Sequence, residues 1–155
     1  MNITLLLTLG APIVIVLSIV YLDKFKEPTD LILKTFFIGI LLCIPAGVLN
    51  DLLIDSYEQS YRAGLTEESL KFLVLYFYIR TQTAFDEPMD AIVYGTIISL
   101  GFATLENFSY VYYISSEAES LNTAILRSMS AIPLHATCGI IMGYFFGLHA
   151  FLNSK

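Results

Sequence analysis

The chain has 155 residues, of which 56% are hydrophobic and only 14% are charged, and its mean hydropathy is +0.71. A soluble domain of this size buries about two thirds of the surface of its unfolded chain and carries about 25% charged residues, so an ordinary soluble enzyme is excluded. The net charge of −6 offers no basic surface to nucleic acid. The composition therefore predicts an integral membrane protein.

Two apolar runs begin the chain. The first, Ile3–Leu22, carries no charge and is long enough to cross a hydrocarbon core of about 30 Å. Because Met1–Leu5 has no basic residue, we expect a retained spanning helix rather than a cleaved signal peptide. A second apolar run extends from Leu31 to Leu49, and Pro45 is expected to kink its helix.

The rest of the chain alternates between mixed and apolar stretches. Asn50–Gly64 is too polar to span and is interpreted as an interfacial helix. A third span is predicted from Leu65 to between Ile79 and Phe85, with Thr66 as its N-cap. A fourth covers Ala91–Ile114, and a fifth lies within Leu121–Leu152.

These segments predict an all-α, multi-pass integral membrane helix bundle with about five transmembrane helices, forming a single domain over residues 1–155. Basic residues in short loops mark the cytoplasmic side. One side of the predicted bundle carries Lys24, Lys26, Arg80 and Lys155, whereas the other carries Arg62. We therefore expect the N-terminus outside and the C-terminus in the cytoplasm of a lipid bilayer.

Glu106 is the acidic side chain of the fourth predicted span. A carboxylate at the centre of a spanning helix that faces lipid costs about 2.5–3.5 kcal/mol or more, so Glu106 is expected to face protein or water. It is either a structural acid paired with a neighbouring helix or a catalytic or ion-path residue.

Small residues recur every four positions in the last two predicted spans. The ridges are His135, Gly139, Gly143, Gly147 and Ala91, Gly95, Ser99, Ala103. Such ridges let helices approach closely. If the two ridges meet, His135 and Glu106 become neighbours; the alternative is a glycine packing surface with an incidental histidine.

The third span begins with the acidic and basic residues Glu67, Glu68 and Lys71. Such a pattern is ordinary at a helix start, but here the helix continues into a membrane span. With the predicted directions of the spans, Glu106 lies about 12 Å below the outer end of its helix. The acids of two helices and His135 can therefore converge beneath the outer face.

The sequence resembles the PrsW family of intramembrane proteases between Leu65 and Gly147. The segments EESLK, FATLE and HATCG match the family motifs EExxK, FxxxE and HxxxG in order. The further positions that the motifs and their flanks mark as supporting residues are Lys71, Phe102, Asn107, Arg127 and Gly139. The chain is more distantly similar to the CAAX prenyl endopeptidase and Abi group, from which it departs by having Glu106 for a histidine and Gly139 for an asparagine.

The resemblance implies a multi-pass peptidase of a prokaryotic plasma membrane. Its substrate would be a single-span membrane protein similar to an anti-sigma factor, cut in regulated proteolysis of a stress response, with no nucleic-acid partner and an oligomeric state left open. The alternative is a non-catalytic scaffold or immunity-type protein that uses the same polar cluster for helix packing. A proton-coupled carrier ranks last, because it needs polar residues along a whole path.

We assign the catalytic residues as Glu67, Glu68, Glu106 and His135. Glu68 is the expected general base, Glu67 holds local charge beside it, and Lys71 orients the carboxylates. His135 would polarise the water or the carbonyl, with its tautomer fixed by Glu106. A zinc ion between Glu68, Glu106 and His135 is the alternative, but catalytic zinc sites usually have two or three histidines, so we favour a glutamate and histidine mechanism without a cofactor.

Overall fold

The computed structural model describes residues 3–56, 59 and 61–152, and within these ranges the regular secondary structure is entirely helical. The α-helices are α1 (Ile3–Leu22), α2 (Thr29–Leu53), α3 (Tyr61–Phe77), α4 (Pro88–Ser109), α5 (Ser120–Met129) and α6 (Ala131–Leu152). A 3₁₀ turn, Ile79–Thr81, follows α3, and a π-helical turn, Tyr110–Ile114, extends α4. The predicted all-α fold is confirmed.

Four helical segments in the described part of the chain are long and apolar enough to cross a membrane. They are Ile3–Leu22, Thr29–Leu53, Pro88–Ile114 and Ser120–Leu152. The third predicted span corresponds to α3, which has 17 residues and includes Glu67, Glu68 and Lys71. This helix is not one of the four segments. The chain is thus a multi-pass membrane protein in which one helix of the bundle is shorter and more polar.

The stretch Asn50–Gly64 does not form a separate helix in the described residues. Instead, α2 continues to Leu53, residues 54–56 are not helical, and α3 begins at Tyr61. Tyr57, Glu58 and Ser60, which belong to the predicted interfacial helix, lie outside the described residues.

The predicted N-cap at Thr66 is wrong, because α3 begins at Tyr61 and places Thr66 in its second turn. The Thr66 hydroxyl lies within hydrogen-bond distance of three acceptors, the Asn50 side-chain oxygen and the carbonyls of Arg62 and Ala63, and it can donate its one proton to any of them. Thr66 therefore links α3 to the end of α2 instead of starting a helix.

The direction of α3 follows from its contacts with α2. Glu67, near the start of α3, is hydrogen-bonded to Asn50 at the end of α2, whereas Leu75 packs in one cluster with Leu31 at the start of α2. The two helices are therefore antiparallel, and α3 crosses the bundle over about 25 Å. The C-terminal ends of α2 and α4 and the N-terminal ends of α3 and α6 share one end of the bundle, the site end.

At the opposite end, polar contacts fix the start of α4. The Asp90 carboxylate accepts the backbone N–H groups of Asp86 and Glu87, each at 2.8 Å, which caps the helix. The Tyr94 hydroxyl donates to Glu27 in the link between α1 and α2. Burial raises the pKa of Glu27 to about 7, and the contact holds this link against α4.

The most buried helix is α4, and it packs against α6 along the two predicted ridges. A Cβ atom on Gly139 would lie 2.6 Å from the Gly95 carbonyl oxygen, and one on Gly143 would lie 2.2 Å from that of Ala91. The ridges thus meet as predicted. A second close approach was not predicted: a Cβ on Gly101 would lie 2.2 Å from the Phe36 carbonyl oxygen, where α4 crosses α2.

We predict that Gly143→Ala lowers the thermal stability of the protein in detergent. Its methyl group would collide with the backbone of Ala91 and Ile92, which cannot move without separating α4 from α6. Overpacking of this kind costs about 1–3 kcal/mol. Gly47→Ala is the matched control, because a Cβ there meets nothing within 4 Å. Equal melting temperatures for the two variants would contradict the close packing of α4 on α6.

Candidate active site

A continuous chain of polar contacts joins α3, α6, α4 and α5 near the site end. The Lys71 ammonium lies 2.7 Å from Glu68 Oε1 and 3.1 Å from His135 Nδ1. His135 Nε2 lies 3.0 Å from Glu106 Oε2, and Arg127 donates to that same oxygen at 2.6 Å. The side chains predicted to converge from three helices are therefore in direct contact, and α5 adds a fourth helix to the group.

Lys71 is the centre of this chain of contacts. Its side chain is fully buried, and its ammonium lies 4.1 Å from the centre of the Phe102 ring, which adds a cation–π contact. An ammonium has donors only, so His135 Nδ1 must accept from it. The proton of a neutral His135 is then on Nε2, where it is donated to Glu106.

Arg127 holds Glu106 in place from the side of α5. Its guanidinium bonds Glu106 and, at 2.9 Å, the Asn107 side-chain oxygen, and it lies 4.0 Å from the centre of the Tyr110 ring. The Asn107 amide donates at 2.9 Å to the backbone carbonyl of Thr8 in α1. Tyr110 begins the π-helical turn, a feature that is frequent at functional sites.

The two adjacent acids of α3 face different neighbours. One carboxylate oxygen of Glu67, one of Glu106 and a ring nitrogen of His135 all lie within 4.8 Å of one another. Glu68 forms its ion pair with Lys71 instead. The predicted metal-binding set contained Glu68, but the structure groups Glu67 with Glu106 and His135.

The charges of the group leave one carboxylate without a cation. Lys71 pairs with Glu68 and Arg127 pairs with Glu106, whereas Glu67 forms no ion pair within the described part of the chain. The Asn50 amide donates a hydrogen bond to Glu67 at 3.2 Å. Glu67 is therefore the acid best placed to take up a proton or a cation.

Two cavities flank α3. The first, of about 510 Å³, is called the polar cavity because Glu67, Glu106, Asn50 and Asp51 line it, alongside apolar residues such as Phe102 and Ile54 and the thiol of Cys43. The apolar groove, about 640 Å³, lies between α3 and α6 and is lined by Glu68, Leu65, Phe72, Cys138, Ile141 and Met142, among others. Glu67 and Glu68 thus open on different spaces, and the contact between Lys71 and His135 connects α3 with α6.

Sequence reasoning missed several contributors to the site. The sequence pattern assigns Asn50 to an interfacial helix, whereas the structure places it at the end of α2, where its amide bonds Glu67 of α3. Tyr110 carries no motif that marks it. Gly139, one of the supporting residues, packs against Gly95 and Ser99 of α4 and acts by bringing the helices together.

Most of the chain matches one known protein family. A family model described as PrsW family intramembrane metalloprotease matches residues 27–155. The chain belongs to the PrsW family. The resemblance carried by the motifs in α3, α4 and α6 is thereby confirmed.

Relatives named Protease PrsW come from several bacteria. The chain is 38% identical to that of Geobacillus kaustophilus (strain HTA426), over 94% of this chain and 66% of the relative. The identity is 35% to that of Bacillus subtilis (strain 168), over 94% of this chain and 68% of the relative, and 37% to that of Oceanobacillus iheyensis (strain DSM 14371 / CIP 107618 / JCM 11309 / KCTC 3954 / HTE831), over 88% and 65%. The chain thus spans about two thirds of the length of these relatives. No solved structure gives a significant match.

The description of the PrsW family implies a metal ion, and the spacing of Glu67, Glu106 and His135 fits one. Two carboxylates and an imidazole are usual ligands of zinc. The hydrogen bonds of His135 restrict how it could bind a metal, because Lys71 beside Nδ1 leaves the ring proton on Nε2. A metal bound through Nε2 would require the other tautomer and a Lys71 that is neutral or turned away.

We predict that Arg127→Ala destabilises this PrsW protein by about 3 kcal/mol, because it leaves Glu106 partly buried with no full countercharge. The melting temperature in detergent would measure the loss. Arg80→Ala, at an exposed arginine whose contact is with the Tyr76 ring, is the control and is expected to lower stability by no more than about 1 kcal/mol. The double change Glu106→Gln with Arg127→Ala should be more stable than Arg127→Ala alone; a double variant that is less stable would contradict the charge pairing.

Proposed function

We propose that this chain is an intramembrane peptidase that hydrolyses a peptide bond of a single-span, membrane-anchored protein similar to an anti-sigma factor. The observation that carries the proposal is the grouping of Glu67, Glu106 and His135 beside a polar cavity. Peptide hydrolysis needs water, a base and a stabiliser of the oxyanion. These residues and their neighbours offer a candidate for each.

Glu67 is the general base of the proposed mechanism, in place of the Glu68 assigned from the sequence. Its carboxylate lines the polar cavity and has no cation bound to it in the described part of the chain. It can accept a proton from a water molecule that attacks the substrate carbonyl, and it can return that proton to the leaving amine. Glu68, by contrast, is committed to Lys71.

His135 stabilises the oxyanion in this mechanism. Its Nε2–H is a donor, and the Lys71 ammonium at Nδ1 favours the tautomer that carries this proton. Glu106 orients the ring by accepting from Nε2 until substrate binds. Arg127 holds Glu106 in place through a 2.6 Å ion pair.

A metal ion held by Glu67, Glu106 and His135 would supply a more acidic bound water and a polarised carbonyl. We favour the mechanism without a metal, because the contact between Lys71 and Nδ1 favours the His135 tautomer that carries its proton on Nε2.

The proposed setting is the plasma membrane of a prokaryote, with the N-terminus outside and the C-terminus in the cytoplasm. Asn50, Glu67, Glu106 and His135 all lie toward the site end of the bundle. In this topology the site end is beneath the external leaflet, so water enters the polar cavity from outside.

We predict that Glu67→Gln lowers kcat for a cleaved single-span substrate by at least about a hundredfold, the contribution of a general base. Glu68→Gln should lower kcat much less, because a glutamine can still accept from Lys71. Purified protein and substrate in detergent or liposomes would be followed by gel. A Glu68→Gln variant that loses more activity than Glu67→Gln would contradict the reassigned base.

The same variants separate a peptidase from a scaffold or immunity-type protein. If the protein is a scaffold, the variants should have lower melting temperatures, and the unaltered chain should not cleave the substrate. A peptidase predicts that Glu67→Gln keeps its melting temperature and loses cleavage, since Glu67 has no ion pair to break in the described residues.

Metal removal provides a further prediction. We expect cleavage to persist after complete chelation, and we expect purified protein to contain far less than one zinc per chain by elemental analysis. Abolition by the chelator with recovery on adding zinc would overturn the metal-free mechanism. In that case Glu67→Gln and Glu106→Gln should both lower the zinc content.

A further inference from the structure

Three carboxylic acids interact at the end of the bundle opposite the site end, and they are called the acid cluster here. Asp23 and Glu27 belong to the link between α1 and α2, and Asp90 belongs to the first turn of α4. Asp23 is 2% exposed and Asp90 is fully buried, whereas Glu27 is half-buried. None of the three forms an ion pair with a residue that the structure describes. The acid cluster therefore lacks a countercharge from this part of the chain.

The lysines of the same link have other contacts. The Lys26 ammonium donates to the backbone carbonyls of Val20 and Tyr21, each at 2.9 Å, and so caps the end of α1. Lys24 is exposed, and its ammonium lies 5.2 Å from the centre of the Phe25 ring. The other charged groups around the cluster are acidic as well, namely Asp30, Asp86 and Glu87.

Two oxygens of the acid cluster have no donor. Asp90 Oδ2 accepts the two N–H groups that cap α4, but Asp90 Oδ1 is buried and has no hydrogen-bond partner among the described residues. The same is true of Asp23 Oδ2. The Glu27 carboxyl accepts from the Tyr94 hydroxyl and is in hydrogen-bond contact with the Asp90 carboxyl. Two carboxyl groups in contact without a cation cannot both be ionised at low cost, so one of them has to hold a proton.

A proton fits the acid cluster better than a metal ion does. Calcium and magnesium take about six or more oxygen ligands, and the oxygens without a partner are closed to solvent. Within the described residues, the spacing of metal ligands is found at Glu67, Glu106 and His135 and not at the acid cluster. A proton needs only two oxygens in contact, and it can enter through Glu27, which solvent reaches.

We infer that the acid cluster is a proton-binding site, in which Glu27 holds a proton that it donates to Asp90 while it accepts from Tyr94. The bound proton fastens the link between α1 and α2 to the start of α4. Loss of the proton leaves two carboxylates in contact, and their repulsion, with that of Asp23, drives the link away from α4. The packing of the first two helices on α4 thus depends on pH, whether or not the proposed peptidase function is correct.

The direction of this pH dependence follows from the environment of Glu27. Burial raises the pKa of Glu27 from 4.5 to about 7, so the folded chain holds the proton more tightly than the unfolded chain. The contribution of the bound proton to stability is therefore fully present below about pH 4.5. It is lost as the pH rises through about 7.

Glu27→Gln tests the site by thermal stability, because an amide can donate to Asp90 and accept from Tyr94 at any pH. Melting temperatures in detergent would be compared between about pH 5 and about pH 9. We expect the unaltered chain to lose about 4 °C or more relative to Glu27→Gln over this range. Glu117→Gln, at an exposed acid beyond α4, is the matched control and should follow the unaltered chain. A constant difference between the unaltered chain and Glu27→Gln would overturn the proton site.

Infrared spectroscopy detects the proton directly and does not depend on unfolding. A protonated carboxyl group has a C=O stretching band that the ionised group lacks. In the difference between the spectra of the unaltered chain and Glu27→Gln, we expect this band below about pH 7 and not well above it. A difference spectrum that lacks the band throughout the titration would show that Glu27 holds no proton.

A divalent cation is the competing occupant of the acid cluster. Magnesium or calcium ions added at about pH 9, where Glu27 is ionised, should not raise the melting temperature of the unaltered chain above that of the same chain in chelator. If either ion raises the melting temperature of the unaltered chain and not that of Glu27→Gln, the cluster is a metal site and the proton site is overturned.

Discussion

Charge neutralisation in a medium without water is the constraint on which the rest of this structure depends. Each ionised side chain inside a membrane bundle needs a partner of opposite charge or several hydrogen bonds. Lys71 and Arg127 meet that need for Glu68 and Glu106, and His135 lies between the two pairs. The requirement brings α3, α4, α5 and α6 together at one end of the bundle. Within this group, Glu67 has no ion pair with any residue that the structure describes.

Much of the fold was predictable because ridges of small residues determine which faces of whole helices pack against each other. The spacing of Gly139 and Gly143 opposite Gly95 determined which faces of α6 and α4 meet, and that contact placed His135 beside Glu106. The spans with long uncharged runs were also predictable, because their length alone is enough to cross the hydrocarbon core. The end of α2 was not predictable. Asn50 is polar, and its hydrogen-bond partner lies in α3, which a local sequence pattern cannot show.

The different environments of Glu67 and Glu68 could not be predicted from the motif. Adjacent helical residues differ by about 100° in direction, so the rotation of α3 about its own axis decides which neighbours Glu67 and Glu68 meet. That rotation is set by tertiary packing, since the polar and apolar residues of α3 are not separated onto two opposite faces. Lys71 fixes it, because its fully buried ammonium has to reach both Glu68 and His135.

The two cavities separate a polar space from an apolar one on opposite sides of α3. Asn50, Asp51, Glu67 and Glu106 contribute polar groups to the polar cavity, whereas Leu65 and Ile141 give the groove its apolar rim. A single shared channel would bring water to the apolar surface and lipid to the carboxylates, and both are unfavourable. Lys71 keeps the two spaces apart, because its fully buried ammonium contacts Glu68 of α3 and His135 of α6 and so holds these helices together.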